Sequence, residues 1–332
     1  MHMANELLSV PVAAGTCAIA AGGLGLICRA AKKVITSEKL ALMGVLGAFV
    51  FAAQMVNFQL PAMPGTSGHI VGAVLLAVIL GPHLGAIVIS SVVIIQCLIF
   101  QDGGLLALGC NIINMGLVPA YIGYYIYTSI AALRDGGLLN LAAGVLACVF
   151  ALEAGAVLVV IESALSGVLI VPFSTFLMTM TGVHLLVGLI EGLITTAVLA
   201  YIRQVRADII TACPAGRVRL SRPIFLITLL IAVIIIGAGI SLLASEMPDG
   251  LEWSYADRPN QPEFEPIVSN RRDVIAAADK LQDRFSLMPD YTRRSAAGES
   301  VSAAWTSFAA VFGSLVTMLF IWLAAVLIKG TR

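Results

Sequence analysis

Nine apolar stretches follow one another along the chain, near residues 8–28, 40–57, 69–81, 84–100, 105–131, 138–164, 174–202, 223–243 and 305–328. A helix that crosses the hydrocarbon of a bilayer needs about 20 such residues. Inside lipid there is no water to satisfy backbone N–H and C=O groups, so spanning segments must be helical or closed into a barrel. Runs of this length and number predict an all-α integral membrane protein. Composition agrees, with 59% of the 332 residues hydrophobic and 11% charged, against about a quarter charged in ordinary soluble domains. The third and fourth stretches are separated only by "GPH" at 81–83. Short broken helices are tolerated in a membrane only where protein covers them, so this pair is expected inside the bundle.

Charge placement predicts the orientation. In "MHMANELLSVPVAAGTCAIAAGGLGLICRAAKK" the positive charges come after the apolar run, the reverse of a secretory signal. The first run is therefore expected to be a span with its N-terminus outside, and residue 1 to remain in the mature protein. Nine spans then place Arg29, Lys32, Lys33, Lys39, Arg134, the 203–222 loop and the "KGTR" tail in the cytoplasm. The short outer segments 1–7, 58–68, 101–104 and 165–173 hold no Lys or Arg, in line with the positive-inside rule. The expectation is a multi-pass protein of the cell membrane. It divides into a seven-span unit (1–202), a basic cytoplasmic linker (203–222) and a two-span hairpin (223–332) with a polar outer segment, 244–304. Within that segment "EFEPIVSNRRDVIAAADKLQDRFSLMPDY" mixes helical periodicity with Pro breakers, which predicts a small outer lobe with Ser286 open to solvent. A formal net charge of zero gives no reason to expect nucleic acid or another strongly charged partner. Six cysteines (17, 28, 97, 110, 148 and 213) show no paired spacing and read as small hydrophobic residues.

Four histidines carry most of the chemistry. A free amine, the amide nitrogen of residue 2 and an imidazole nitrogen of His2 can chelate one metal ion in adjoining rings. A fourth nitrogen from another histidine would complete a plane that suits Ni(II) or Cu(II). The bulk of His2 is expected to keep Met1 from being removed. On its own, a second-position histidine reads more simply as a cloning scar or an ordinary solvated residue. His69 ends the loop "NFQLPAMPGTSGHIVG" on the same side of the membrane as the N-terminus; it can complete that set, anchor to headgroups or cap the helix. Thr66 and Ser67 can orient its imidazole or cap the helix. His83 lies on the opposite side and reads as interfacial. His184 and Glu191 share one face of a span, and intramembrane ionisable groups are functional by default, though an interhelical hydrogen-bonded pair explains them as well. Asp102 precedes a Gly pair at an outer turn, and Asn111 and Asn114 read as helix-to-helix glue. The runs "AAGTCAIAAGG" and "LAAGVLA" are close-packing faces. There is no P-loop, no "HExxH", no "GxSxG" and no redox "CxxC", so no bound ATP is expected and enzyme readings have little support. An intramembrane enzyme would have to use His184 and Glu191. A metal-responsive sensor would need a cytoplasmic output domain, for which 203–222 is too short.

"MHM", "NFQLPAMPGTSGHIVGAVLLAVILGP", "IFQDGGLLALGCNIINMG" and "GVHLLVGLIEGLITTAVL" together resemble the substrate-binding subunit of nickel/cobalt energy-coupling factor (ECF) transporters over residues 1–202. The resemblance implies a seven-helix bundle into which the N-terminal segment inserts. It also implies a metal held by Met1 (amine), His2 (amide and imidazole) and His69. The chain departs from the family in reading "MHMANELL" where "MHIPDGFL" or similar is usual. "MPDGLEWS" and "SLMPDY" resemble the small two-span subunit of nickel-type systems, here fused as residues 223–332. The function so implied is metal capture for an ATP-driven importer, with Ni(II) as transported substrate and Co(II) as the alternative. Separate ECF ATPase subunits and a coupling transmembrane subunit are the implied partners, alongside the lipid bilayer.

Overall fold

The structure, a computed structural model, describes residues 1–60, 66–133, 136–212, 218–245, 247–255, 273–293 and 303–330. Among them, seven helical segments are long and apolar enough to cross a membrane: Val10–Ala31, Ser37–Gln54, Pro82–Phe100, Gly137–Leu165, Phe173–Ile209, Arg222–Leu243 and Ala304–Gly330. They contain α1 (Val10–Ala31), α2 (Ser37–Gln54), α4 (Pro82–Ile95), α7 (Gly137–Leu165), α8 (Phe173–Arg206), α9 (Arg222–Ala238) and α12 (Ala303–Gly330). The other two expected spans are irregular. In the stretch 69–81 only α3 (Ala73–Leu80) is helical, and all eight of its residues are buried. At 1.5 Å per residue it covers about 12 Å, well short of a bilayer. The stretch 105–131 is broken into α5 (Leu108–Asn111), a π-helical turn (Ile112–Leu117) and α6 (Val118–Ala131). The α3 stretch is enclosed by protein, as the broken "GPH" pair requires, whereas α6 keeps exposed positions such as Tyr125.

Local chemistry sets several boundaries. Thr36 caps α2 by accepting the Lys39 N–H, while Pro82 and Pro223 sit in the first turns of α4 and α9, where a missing N–H costs nothing. Gly188 and Gly192 let α8 approach α7 so closely that a Cβ would lie 2.9 and 2.5 Å from the Val149 and Val145 Cα atoms. Gly144 of "LAAGVLA" lies on this same seam. In lipid such small-residue contact supplies packing attraction that no hydrophobic effect provides. The terminal pair α9 and α12 leans on α2, where Gly44 and Gly47 receive Met318 and Ile321.

The connections gather at two ends. At one lie the N-terminal segment and the short ladder of β1 (Phe58–Gln59) with β2 (Ser67–Gly68), antiparallel with Phe58 opposite Gly68. The turn 101–104 joins them there, with α10 (Gly250–Tyr255) and α11 (Asp273–Phe285). Backbone bonds tie this end together: Ser245 N–H to Asn57 O at 2.8 Å, Ser67 N–H to Pro248 O at 2.8 Å and Leu287 N–H to Ile99 O at 3.0 Å. At the other end Thr211 N–H donates to Ile79 O at 2.9 Å, and Lys329 Nζ to Ser37 Oγ at 2.6 Å. Ser286 corrects the sequence reading. It is 3% exposed, because Ala278, Gln282 and Ser286, four residues apart, continue the buried stripe by which α11 lies on the bundle. Cys97, Cys110 and Cys148 are buried and unpaired, as a hydrophobic role predicts; Cys17 is exposed, and Cys213 lies outside the described residues.

Candidate metal site

The first residues of the chain are drawn into the bundle, with Met1, Met3, Leu7 and Leu8 buried. Asn111 holds Met3 from both sides: its Oδ1 accepts the Met3 N–H at 2.7 Å, and its Nδ2 donates to Met3 O at 3.2 Å. Gly104 N–H adds a third bond to Met3 O at 2.8 Å. Asn114 Nδ2 reaches the Met3 sulfur at 3.6 Å and Glu162 Oε2 at 2.6 Å. Both asparagines thus hold the N-terminal segment rather than simply joining two spans. Asn5 Oδ1 accepts the Leu106 N–H at 2.8 Å. A Cβ on Gly104 would lie 2.5 Å from the Asn5 nitrogen, so only glycine lets the segment lie this close to the turn.

This threading sets the Met1 amine 3.3 Å from His69 Nε2 and 2.7 Å from Asp249 Oδ2. His69 Nδ1 lies 3.0 Å from the Ile70 carbonyl. A carbonyl only accepts, so Nδ1 carries the proton and Nε2 presents its lone pair to the amine. The His2 ring stacks on His69 with centroids 5.4 Å apart. Its Nδ1 faces Asp102 Oδ1 and its Nε2 faces Gln96 Oε1, each at 3.1 Å, and Asp102 Oδ2 accepts the Tyr291 hydroxyl proton. The His2 amide N–H donates to none of the described residues. The His69 loop is pinned from beneath by Glu191, which accepts the N–H groups of Val71 and Gly72 at 2.7 and 2.9 Å. Gly72 turns through φ +79°, a left-handed conformation that glycine adopts without strain.

Burial sets the electrostatics. Desolvation lowers His2 below its usual range, although the Asp102 carboxylate pulls the other way. Burial, then the ammonium and His2, bring His69 down to about 3. Burial alone would raise Asp249, but the ammonium and His69 overcome it and hold the carboxyl well below the usual range. Both imidazoles are therefore neutral at pH 7, the form in which they bind metals. A cavity of about 910 Å³ opens over the site, lined by His2, His69, Asp102, Asp249, Glu252 and Tyr291 among others.

Among the described residues, no three His, Cys, Asp or Glu side chains are grouped as a metal cage. The nitrogens that converge belong partly to the backbone. With metal–nitrogen bonds of about 2.0–2.1 Å, the length of a zinc–imidazole bond, two ligands at right angles lie about 2.9 Å apart. The amine and His69 Nε2, at 3.3 Å, come close to that spacing.

The structure brings Met1, His2 and His69 together and leaves other readings aside. Thr66 and Ser67 do not orient the imidazole. Thr66 Oγ1 donates to Ser67 O, and Ser67 Oγ to Met247 O and Pro248 O, since this strand edge is used to stitch on the segment ahead of α10. His83 pairs with Tyr121, away from the site. His184 and Glu191 do not pair either: His184 Nδ1 bonds Met180 O on its own helix at 2.7 Å, and Glu191 is taken by the His69 loop. Sequence reasoning missed Gln54, Gln96 and Asp249. Glutamines inside apolar runs were the available signal for the first two, whereas Asp249 stood in "MPDGLEWS" with nothing in one dimension to connect it to residue 1.

Comparison with known proteins defines the class. Residues 2–209 match the family described as the cobalt uptake substrate-specific transmembrane region, and residues 224–330 match the PDGLE domain. The chain belongs to this family of transition-metal transporter components, with a PDGLE domain fused behind it. A Haloquadratum walsbyi protein named as a metal transport protein is 35% identical over 63% of this chain and 93% of its own length. A Lactiplantibacillus plantarum protein named as a fused nickel transport protein, LarMN, is 30% identical over 76% of this chain and 78% of its own length. A crystal structure of a truncated transition metal transporter superposes with a TM-score of 0.54 at 28% identity, covering 61% of this chain and 98% of the other. The protein is a multi-pass membrane component of an ECF-type nickel/cobalt transporter, not an enzyme.

Proposed function

We propose that the chain captures Ni(II) at the outer face of the cell membrane for an ATP-driven ECF importer. Residues 1–202 hold the ion, 203–222 form a cytoplasmic linker, and 223–332 form the fused accessory hairpin. ATPase subunits and a coupling transmembrane subunit on other chains release the ion inward. The observation that carries this reading is the convergence of the Met1 amine, the His2 amide, which donates to none of the described residues, and the two stacked imidazoles. The ion takes the amine and amide nitrogens as they lose their protons, His69 Nε2, and His2 Nδ1 after it turns from Asp102. Asp102 and Asp249 stay close to offset the charge. Four nitrogens in a plane, one an amide, form a strong-field set that favours Ni(II) over Co(II), and the nickel named for the fused relative supports the same choice. Co(II) is the second reading, because the family description specifies cobalt uptake.

The experiment adds one residue ahead of Met1, which moves the amine out of chelate reach and leaves every side chain in place. Ni(II) content after mild-detergent purification should fall to background, as it should in His2→Ala. Wild-type protein should carry diamagnetic Ni(II). Normal nickel content in the extended protein would remove the amine from the site, and preferential retention of Co(II) would favour the second reading.

A further inference from the structure

We infer that Gln54 and Gln96 are positioning residues that keep a proton on His2 Nε2, so that Nδ1 is the imidazole nitrogen open to a metal. The inference rests on the reading that Met1, His2 and His69 hold the ion. The direction of the chain is fixed at its start by a group that can play only one role. Gln54 places an amide atom 2.7 Å from Val71 O; a carbonyl only accepts, so that atom is Nε2. Its Oε1 then faces Gln96, and only an N–H can approach at 2.7 Å. Gln96 therefore turns Oε1 toward His2 Nε2, 3.1 Å away.

Gln54 and Gln96 are 5% and 1% exposed, and a flip of either would set oxygen against oxygen. The lock opposes a real competitor. Asp102 Oδ1 sits 3.1 Å from His2 Nδ1 and, alone, would draw the proton onto the very nitrogen needed for chelation. The chain also continues beyond Val71, whose N–H, with that of Gly72, is held by Glu191. Val71 is two residues past His69, so one run of hydrogen bonds fixes the proton position of one ligand and the loop of the other.

The test uses full-length protein labelled with ¹⁵N-histidine, stripped of metal by chelator and then titrated with Ni(II). The His2 signals are assigned by their loss in His2→Ala. In the wild type, His2 Nε2 should show the shift of a protonated nitrogen. In Gln96→Leu and Gln54→Leu it should move toward the unprotonated value, and Ni(II) affinity should fall roughly 10–100-fold, the usual effect of losing an outer partner of a metal-binding histidine. The absorption spectrum of bound Ni(II) should stay unchanged, since the four nitrogens remain. Gln54→Leu is the stronger variant because the hydrogen bonds of Gln54 go to Val71 and Gln96 rather than to His2. An unprotonated Nε2 in the wild type overturns the inference whatever the variants do. So does wild-type affinity in both glutamine variants while His2→Ala loses binding. Undiminished binding by His2→Ala would instead remove the metal site on which the inference rests.

Discussion

The Asp249 carboxylate and the Met1 amine form a buried pair at 2.7 Å, with side-chain exposures of 16% and 2%. Removing one partner of such a pair strands the other charge and costs about 3–5 kcal/mol. Asp249→Asn keeps the oxygen that caps α10 at Leu251 and Glu252, so it isolates the charge. The expected result is a lower melting temperature of chelator-treated protein at pH 7. Because the native carboxyl is held below its usual range, this contribution is complete above about pH 4. It disappears as pH falls through the depressed native value. The gap between wild type and Asp249→Asn should therefore be constant from pH 7 to 5 and close in stronger acid. A gap that closes between pH 7 and 6 would assign it to a histidine instead. The depressed imidazoles make a second prediction. Metal binding releases the protons of its ligands, and neutral His2 and His69 have none to give up at the nitrogens used. Titration with Ni(II) in buffers of different ionisation enthalpy should read no more than two protons per ion, with none from an imidazole, and acid should weaken binding. Release of three or more would show that an imidazole is charged before the ion arrives.

The loop between β2 and α3 shows how a segment with little regular structure is held in place. Glu191 on α8 satisfies two of its N–H groups and Gln54 on α2 one of its carbonyls. Leaving a buried donor unsatisfied costs about 1–3 kcal/mol. Glu191→Leu should therefore loosen the His69 loop while the apolar contacts between α7 and α8 keep the bundle folded. Hydrogen exchange at Val71 and Gly72 should accelerate and Ni(II) affinity should drop at least tenfold. Unchanged exchange there would mean that the loop is held by something other than α8. Much of this arrangement was readable in the chain. Apolar runs of about 20 residues announce α1, α2, α7 and α8, and "GPH" announces a broken pair, because those depend on transfer into lipid and on local backbone preference. His2 and His69 stand out because histidine is rare at such positions and the chelate spans only two residues. The supports are another matter. That Asn111 would grip Met3, or that Gln96 would point at His2, depends on which faces meet after packing, and no periodicity encodes a contact between residues some hundred positions apart. Ser286 failed for a related reason, since a polar stripe on α11 does not reveal which side the bundle will cover.

The described connections gather at two ends, and the described basic residues of the linker, Arg203, Arg206, Arg219 and Arg222, fall at the end opposite Met1. Leu287 and Val218 are 63% and 61% exposed at opposite ends, and each can carry a cysteine in a background lacking accessible native thiols. A membrane-impermeant thiol reagent applied to intact cells should label Leu287→Cys and leave Val218→Cys unmodified until the cells are opened. Labelling of Val218→Cys from outside would invert the orientation and with it the direction of capture. The hairpin is not an appendage in this arrangement: its Pro248 backbone is bonded to Ser67, and its Asp249 reaches the first residue of the chain. That contact also has a meaning in time. The Met1 amine is among the first groups to leave the ribosome, yet its carboxylate partner is 248 residues later, about 12–50 s of synthesis at 5–20 residues per second. The ion pair that anchors the amine therefore forms only after most of the chain has been made. A chain released early, before the hairpin is made, would present its amine without that anchor.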